Sequence, residues 1–299
     1  MFASLFAVLA PVFVVAGIGY GWARKGLDYP TGFIARVVMT IGTPSLVLST
    51  LSRTELQPEA FASMAMACLL CTLGMALAGW LVCRVTGRHW RVLMPAFMFP
   101  NTGNMGLPIS LYAFGEHGLA LAVAFFLTLS IVQFTLGMAI SGTAASFKAL
   151  LRNPIVISLA GAMPIIFLDF ELPRWLANTV NLLGGMTIPL MLLTLGVSLA
   201  SIRLRQVGSG LLLGGLRIGL GAALGWAVGM ALGWAVGMAL GLDDLARAVL
   251  VVQSAMPVAV FNYLMAIRAN REPEQVANLV MCSTLLSFAW LPVVLAWWM

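Results

Sequence analysis

The stretch that decides the fold runs from residue 99 to residue 108 and reads Phe99-Pro100-Asn101-Thr102-Gly103-Asn104-Met105-Gly106-Leu107-Pro108. It lies in the middle of an apolar run, from about residue 90 to residue 113, that is long enough to cross a hydrocarbon core of roughly 30 Å. Pro100 lacks an N–H group, and its ring collides with the carbonyl four residues earlier, so it should interrupt a helix. The residue before each proline avoids helical angles, and the two glycines permit an unwound chain.

Irregular backbone at membrane depth is tolerated only where protein buries it or where it lines a water-filled cavity. The stretch therefore predicts a broken membrane helix with a polar centre, which is the usual build of a transporter binding site. The alternative is a simple proline kink whose asparagines bond to neighbouring helices.

The composition places the whole chain in a membrane. Of its 299 residues, 61% are hydrophobic and only 9% are charged, which is typical of a multi-span α-helical membrane protein. The N-terminus lacks the basic region of a signal peptide, so we expect the first apolar run to be retained as a span. The net charge of +6 does not indicate a nucleic acid partner, because the basic residues are spread over short loops as orientation signals.

The cysteines all lie in apolar runs. Cys68 and Cys71 have a spacing found in redox and metal sites, but no His or acidic residue stands near them. We therefore expect small buried apolar roles for all four, namely Cys68, Cys71, Cys83 and Cys282.

Apolar segments separated by short connections predict ten spans, at about residues 2–23, 31–51, 59–83, 91–113, 118–140, 152–169, 175–199, 207–241, 246–268 and 275–298. Eleven basic residues lie in the odd-numbered connections and three in the even-numbered ones. By the positive-inside rule the odd connections are cytoplasmic, so both termini should face the periplasm. The eleven are Arg24, Lys25, Arg84, Arg88, Arg91, Lys148, Arg152, Arg203, Arg205, Arg268 and Arg271, and the three are Arg53, Arg174 and Arg247.

The two halves of the chain resemble each other. Pro44 pairs with Pro189 at an offset of 145 residues, and Pro100 pairs with Pro257 at an offset of 157. An odd number of spans in each half would insert the second half upside down relative to the first, as in many secondary transporters. We predict a single membrane domain, 1–299, made of inverted five-helix repeats at about 1–145 and 146–299.

The larger offset has a visible cause, since residues 224–231 are followed at once by an identical copy at 232–239. With this copy, the eighth span has roughly 35 residues and would be about 52 Å long, which exceeds the membrane. Glycines recur at every fourth position and predict a stripe along which a neighbouring helix packs closely. They are Gly221, Gly225, Gly229, Gly233, Gly237 and Gly241. A re-entrant turn within 207–241 is the alternative.

The ninth span carries Pro257 at its midpoint, as the fourth carries Pro100. Two such broken helices would cross at the midplane and point free N–H groups and positive dipole ends at the crossing, which suits an anion. Pro257 should also free the carbonyl of Gln253. Asn101 and Asn104 can hydrogen-bond a substrate without the cost of a buried charge.

The interior of the predicted spans contains no Asp or Glu, and His89 and His117 lie at span ends. A proton relay usually requires such a group within the membrane, and a cationic substrate would lack a counter-ion. A Na⁺ site would have to consist of carbonyls, hydroxyls and amides. Arg36 and Arg217 lie inside apolar runs, where we expect them to snorkel to the cytoplasmic end; attraction of anions by one of them is the alternative.

Three motifs resemble the auxin efflux carrier family, whose bacterial members are similar to the plant PIN carriers: residues 100–108, 188–196 and 255–263. The resemblance covers essentially the whole chain. It implies a ten-span carrier with the fold of the bile-acid/sodium symporters, in which spans one, two, six and seven form a scaffold and the others form a moving transport domain. Members transport organic anions such as indole acetate, malate or malonate, and Pro100, Asn101 and Pro257 would border the substrate.

The resulting hypothesis is a secondary carrier of small organic anions with elevator-type alternating access, located in the lipid bilayer of the bacterial inner membrane. It has no catalytic residue, metal or cofactor, and a homodimer is left open. The predicted substrate-binding residues are Pro100, Asn101, Thr102, Gly103, Asn104, Gln253, Pro257 and Asn262. For Gln253 and Asn262, hydrogen bonding between helices is an open alternative.

Three other functions compete with this one. A sodium-coupled symporter of the bile-acid type would need a Na⁺ gradient for uptake. A membrane-embedded enzyme would need a nucleophile–base pair or metal ligands at depth, which the sequence lacks. A passive channel would show neither saturation nor counterflow.

Overall fold

A computed structural model describes residues 2–54, 56–142, 150–168, 170–201, 207–235 and 242–298. The prediction of an all-α protein is confirmed, because every regular element in these ranges is helical. The helices are α1 Phe2–Arg24, α2 Thr31–Val37, α3 Thr43–Thr54, α4 Pro58–Thr86, α5 Trp90–Met98, α6 Leu107–Val132, α7 Met138–Ser141, α8 Pro154–Leu168, α9 Arg174–Gly185, α10 Thr187–Ser201, α11 Val207–Ala235, α12 Asp244–Ser254, α13 Val260–Arg268 and α14 Pro273–Trp298.

Several helices are joined or interrupted within what the sequence predicts as one span. Short π-helical turns connect α2 to α3, precede α6 and connect α6 to α7, at Val38–Gly42, Thr102–Gly106 and Gln133–Gly137. Gly115 interrupts α6 with φ +70° and ψ −163°, a conformation that favours glycine. This break falls between the residue ranges predicted for the fourth and fifth spans, 91–113 and 118–140.

Seven helical stretches of the described residues are long and apolar enough to cross a membrane. They are Leu5–Arg24, Thr31–Thr54, Pro58–Thr86, Thr102–Ser141, Arg174–Ser201, Val207–Leu232 and Pro273–Trp298, and Pro154–Leu168 is a shorter apolar helix. The protein is therefore a multi-pass membrane protein. The end of the predicted eighth span, residues 236–241, lies outside the described residues, together with Gly237, Gly241 and part of the duplicated segment.

The helices pack in two groups. In the first, α1 packs on α10, and α3 packs on α8 and α9. In the second, α4 packs on α5, α6 and α11, while α11 also packs on α12 and α14. The groups meet where α6 contacts α1 and α3. The first group consists of the residues predicted as spans one, two, six and seven.

The glycine stripe of α11 packs against α12, as predicted. A Cβ atom at Gly221 would overlap the carbonyl oxygen of Ser254, one at Gly225 would lie 3.0 Å from Cα of Val251, and one at Gly229 would lie 3.3 Å from the side chain of Arg247. The stripe therefore holds α11 close to the broken ninth span, and its described glycines have a packing role.

The four cysteines are buried and free, which agrees with their predicted role as small apolar residues.

Candidate functional site at the crossing of two broken helices

The two proline breaks meet in the structure. The N–H of Asn101 donates to the carbonyl of Pro257 at 2.7 Å, and the N–H of Ala259 donates to the carbonyl of Phe99 at 3.2 Å. These bonds form an isolated antiparallel bridge between Pro100 and Val258. Each unwound segment thus supplies backbone partners that the other lost when its helix broke, so neither break leaves this backbone unsatisfied.

Two half-helices begin at this bridge. The Thr102–Gly106 turn that leads into α6 starts after Asn101, and α13 starts after Ala259, and neither start has a side-chain cap. The first N–H groups of a helix have no partner within it and carry partial positive charge. Both starts flank the same bridge, so each places positive partial charge beside it.

Three amide side chains surround the bridge, and each has one polar atom without a partner among the described residues. Asn101 is 4% exposed and its Nδ2 has no acceptor. Asn262 donates to the carbonyl of Phe99 at 2.9 Å, and Gln253 donates to Oγ of Ser110 at 3.1 Å. Their amide oxygens are buried and unpaired. The alternative of hydrogen bonding between helices therefore holds for the amide nitrogens of Gln253 and Asn262. Their amide oxygens have no partner among the described residues.

The remaining predicted residues lie in the same place. Pro100, Thr102 and Pro257 are buried, whereas Gly103 and Asn104 are half-buried. A Cβ atom at Gly103 would lie 3.2 Å from the ring of Phe126 on α6. The structure thus brings polar residues of both breaks close together, and most of them are buried.

One edge of the cluster reaches a narrow crevice. Asn262 lines it together with Ser141, Arg91 and Arg271. The backbone at this point is unusual, since Asn270 and Glu272 on either side of Arg271 have positive φ angles of 49° and 42°. The crevice places two basic side chains near the amide of Asn262.

Two predictions about this region are wrong. The carbonyl of Gln253 is not free, because α12 ends in a tight turn in which the N–H of Met256 donates to it at 3.4 Å. Arg217 does not snorkel: it is 1% exposed, and its Nη1 donates to the carbonyls of Ser254 (2.7 Å) and Met256. The break at Pro257 therefore leaves these two carbonyls, rather than that of Gln253, to accept from a side chain instead of a helical N–H. Arg36, by contrast, is exposed.

Sequence reasoning missed three residues that shape the site. Ser110 accepts from Gln253, and Oγ of Ser283 on α14 accepts from the N–H of Val258 at 3.0 Å. A Cβ atom at Gly106 would overlap the amide oxygen of Gln253, so the glycine makes room for that side chain. The only signal available for these residues was that each is a serine or a glycine within an apolar run. The sequence did not indicate which helix each of them would contact.

The carboxylates of the described residues lie at the surface. All eight that the structure describes are exposed, while Glu55 and Asp169 lie outside the described residues. The eight are Asp28, Glu59, Glu116, Glu171, Asp243, Asp244, Glu272 and Glu274. The described residues also hold no group of three His, Cys, Asp or Glu side chains that could bind a metal ion. The crossing therefore combines positive dipole ends, neutral amides and one buried arginine.

A multi-pass helical protein with two broken helices paired across a buried polar cluster has the build of a membrane carrier. A family model described as membrane transport protein matches residues 4–150 and 138–295. The chain belongs to this family, the auxin efflux carrier family that its motifs resemble.

Two curated relatives are similar over nearly their whole length. One is described as an uncharacterized transporter of Methanothermobacter thermautotrophicus and is 28% identical over 300 residues, which cover 94% of each chain. The other is described as an uncharacterized transporter of Methanocaldococcus jannaschii and is 24% identical over 309 residues, which cover 97% of this chain and 96% of the relative.

Proposed function

We propose that the protein is a secondary active carrier of small organic anions and that the anion binds at the crossing. The observation that carries the proposal is the Nδ2 group of Asn101, a buried donor with no acceptor among the described residues. Native proteins rarely bury such a group without a partner, so each instance requires an explanation. A substrate carboxylate would supply the missing acceptor.

The electrostatics of the crossing favour the same ligand. Each half-helix start carries the equivalent of roughly half a positive charge, and neither has a capping side chain. The exposed carboxylates offer no buried counter-ion for a cationic substrate. An anion would therefore gain from both dipole ends and from the neutral amides, which cost far less to bury than a charged side chain.

The proposed substrate contacts come from both breaks. They are Pro100, Asn101, Thr102, Gly103 and Asn104 from the first and Gln253, Pro257 and Asn262 from the second. In this proposal the prolines shape the unwound backbone, and the amides and the first N–H groups bind the carboxylate.

The proposed architecture has ten spans in two inverted repeats, 1–145 and 146–299. The two packed groups of helices support a scaffold and a moving transport domain. Because most of the crossing is buried, such a movement would expose the substrate on each side of the membrane in turn, which is elevator-type alternating access.

The proposed location is the bacterial inner membrane, with both termini in the periplasm. The asymmetry of basic residues supports this orientation. A C-terminal alkaline phosphatase fusion should be active and a C-terminal green fluorescent protein fusion dark, and the reverse result would contradict the orientation.

The test of the proposed function is a thermal-shift screen of the purified protein against mono- and dicarboxylates, each paired with its neutral amide. We expect some carboxylates to raise the melting temperature and their amides to have no effect, because only the charged form gains from the dipole ends. A ligand that binds only the folded state at five times its dissociation constant should add about 1 kcal/mol of stability. Stabilisation by amines or neutral compounds instead of carboxylates would contradict the proposal.

A further inference from the structure

Arg217 is a fully buried cation at the end of a broken helix. It lies on α11 and is 1% exposed, and its Nη1 donates to the carbonyls of Ser254 (2.7 Å) and Met256. Ser254 is the last residue of α12, and Met256 directly precedes Pro257 of the crossing. The guanidinium group therefore binds main-chain oxygens that the break has removed from the helical hydrogen-bond pattern.

Burying an arginine within a membrane-spanning helix is costly, and such residues pair with other charged residues or with backbone carbonyls. All the carboxylates that the structure describes are exposed, so this arginine relies on carbonyl partners. The C-terminal end of a helix carries partial negative charge, which stabilises a cation placed there. The Nε group is buried and has no acceptor among the described residues, so the cation is only partly neutralised.

The surrounding helix is shaped for this arrangement. Gly221 lies one turn after Arg217, and a Cβ atom there would overlap the carbonyl oxygen of Ser254 and lie 3.0 Å from Nη1 of Arg217. The glycine thus lets α11 approach the end of α12 closely enough for the guanidinium group to reach both oxygens.

Carbonyl oxygens at the end of an unwound half-helix are the ligands with which secondary transporters bind coupling cations such as Na⁺. We propose that the guanidinium group of Arg217 is a tethered cation that occupies such a carbonyl site, so that the crossing is permanently positive and needs no Na⁺ at this position. Removing the side chain then leaves a vacant cation site formed by the carbonyls of Ser254 and Met256.

The consequence for transport rests on the proposed function. A fixed positive charge beside the crossing raises the affinity for an organic anion and makes that affinity independent of the Na⁺ concentration. Loss of this charge should weaken carboxylate binding about tenfold.

The experiment compares the purified wild type with Arg217→Ala, Arg217→Lys and the control Arg36→Ala, which removes an exposed arginine from α2. The first readout is the melting temperature in millimolar guanidinium chloride and in NaCl, each against choline chloride at equal ionic strength. We expect guanidinium or Na⁺ to raise the melting temperature of Arg217→Ala by about 2–4 °C at several times its dissociation constant. The wild type, Arg217→Lys and Arg36→Ala should not be stabilised, because a tethered cation or an intact arginine already occupies the site.

Equal responses of Arg217→Ala and Arg36→Ala would overturn the inference. If Arg217→Ala does not fold, Arg217→Lys decides it. A carboxylate affinity equal to that of the wild type in both NaCl and choline chloride supports the tethered cation, and a carboxylate affinity or melting temperature that rises with Na⁺ overturns it.

The second readout is binding of the carboxylate found in the thermal-shift screen, and it separates the inference from the proposed function. If the wild type binds no carboxylate but guanidinium raises the melting temperature of Arg217→Ala, the proposed function fails and the tethered cation stands. If the wild type binds a carboxylate but neither guanidinium nor Na⁺ raises the melting temperature of Arg217→Ala, the tethered cation fails and the proposed function stands.

Discussion

At the scale of single residues, the site depends on side chains that the protein itself leaves unsatisfied. Leaving a buried donor unpaired costs about 1–3 kcal/mol, whereas a hydrogen bond to a charged group contributes about 1.5–3 kcal/mol. The free Nδ2 of Asn101 therefore lowers the stability of the protein, and in the proposed site it would raise the affinity for an anion. The same argument applies to the unpaired Nε of Arg217.

Asn101→Ala should lower carboxylate affinity by roughly tenfold to a hundredfold for each hydrogen bond lost. Its melting temperature should stay level or rise, because the deleted Nδ2 has no acceptor in the described part of the protein and costs stability while it is unpaired. Asn178→Ala, at an exposed position of α9, is the matched control and should change neither property. Binding is measured by titration beside a melting curve. If Asn101→Ala binds normally but melts several degrees lower, Asn101 is a helix-packing residue.

The sequence allowed only part of this cluster to be predicted. Asn101 and Asn262 were found because amides near a proline inside an apolar run are unusual. The position of Arg217 was predicted wrongly, since snorkelling describes a helix that faces lipid. Its actual partners lie 37 and 39 residues later, and only the packing of α11 on α12 brings them together.

At the scale of helices, glycines determine which surfaces touch. Among the glycines of α1, a Cβ atom at Gly19 would overlap the carbonyl of Leu193 on α10, whereas Gly17 and Gly21 have nothing within 4 Å. On the facing helix, a Cβ atom at Gly196 would overlap the carbonyl of Ala16. Close backbone contact of this kind is a main source of attraction between helices in a membrane.

Gly19→Ala should therefore destabilise the protein, and Gly17→Ala should not. Both changes replace glycine by the best helix former, which by itself favours the helix by about 1 kcal/mol. Only Gly19→Ala forces α1 and α10 apart, so its melting temperature should fall below that of the wild type while that of Gly17→Ala stays level or rises. Equal melting temperatures for the two variants would show that the α1–α10 contact is not required.

The breaks at Pro100 and Pro257 could be predicted because proline acts through local chemistry. The π-helical turns at Val38–Gly42 and Gln133–Gly137 could not, since neither contains proline. Both end in a glycine against another element: a Cβ atom at Gly42 would lie 2.6 Å from Oγ1 of Thr187, and one at Gly137 would lie 2.7 Å from the ring of Phe99. Such contacts between distant segments leave no periodic signal in the sequence.

At the scale of the whole molecule, the proposal requires that one group of helices moves against the other. The predicted helical segments agree with the structure within a few residues, because long apolar runs are a strong signal. The pairing of the breaks at Pro100 and Pro257 could be predicted because the two halves of the chain carry them at corresponding positions. The division into two packed groups came from the family resemblance and could not have been derived from composition.

Counterflow in proteoliposomes distinguishes a carrier with alternating access from a channel. Vesicles with the purified protein are loaded with a carboxylate that stabilises it, and uptake of a radioactive trace of the same compound is followed from outside, with NaCl or choline chloride on both sides. Because a carrier exchanges its substrate, we expect transient accumulation of the label that saturates with concentration and is the same in both salts. Uptake that rises linearly with concentration and is not accelerated by internal substrate would contradict the proposed mechanism and indicate a channel.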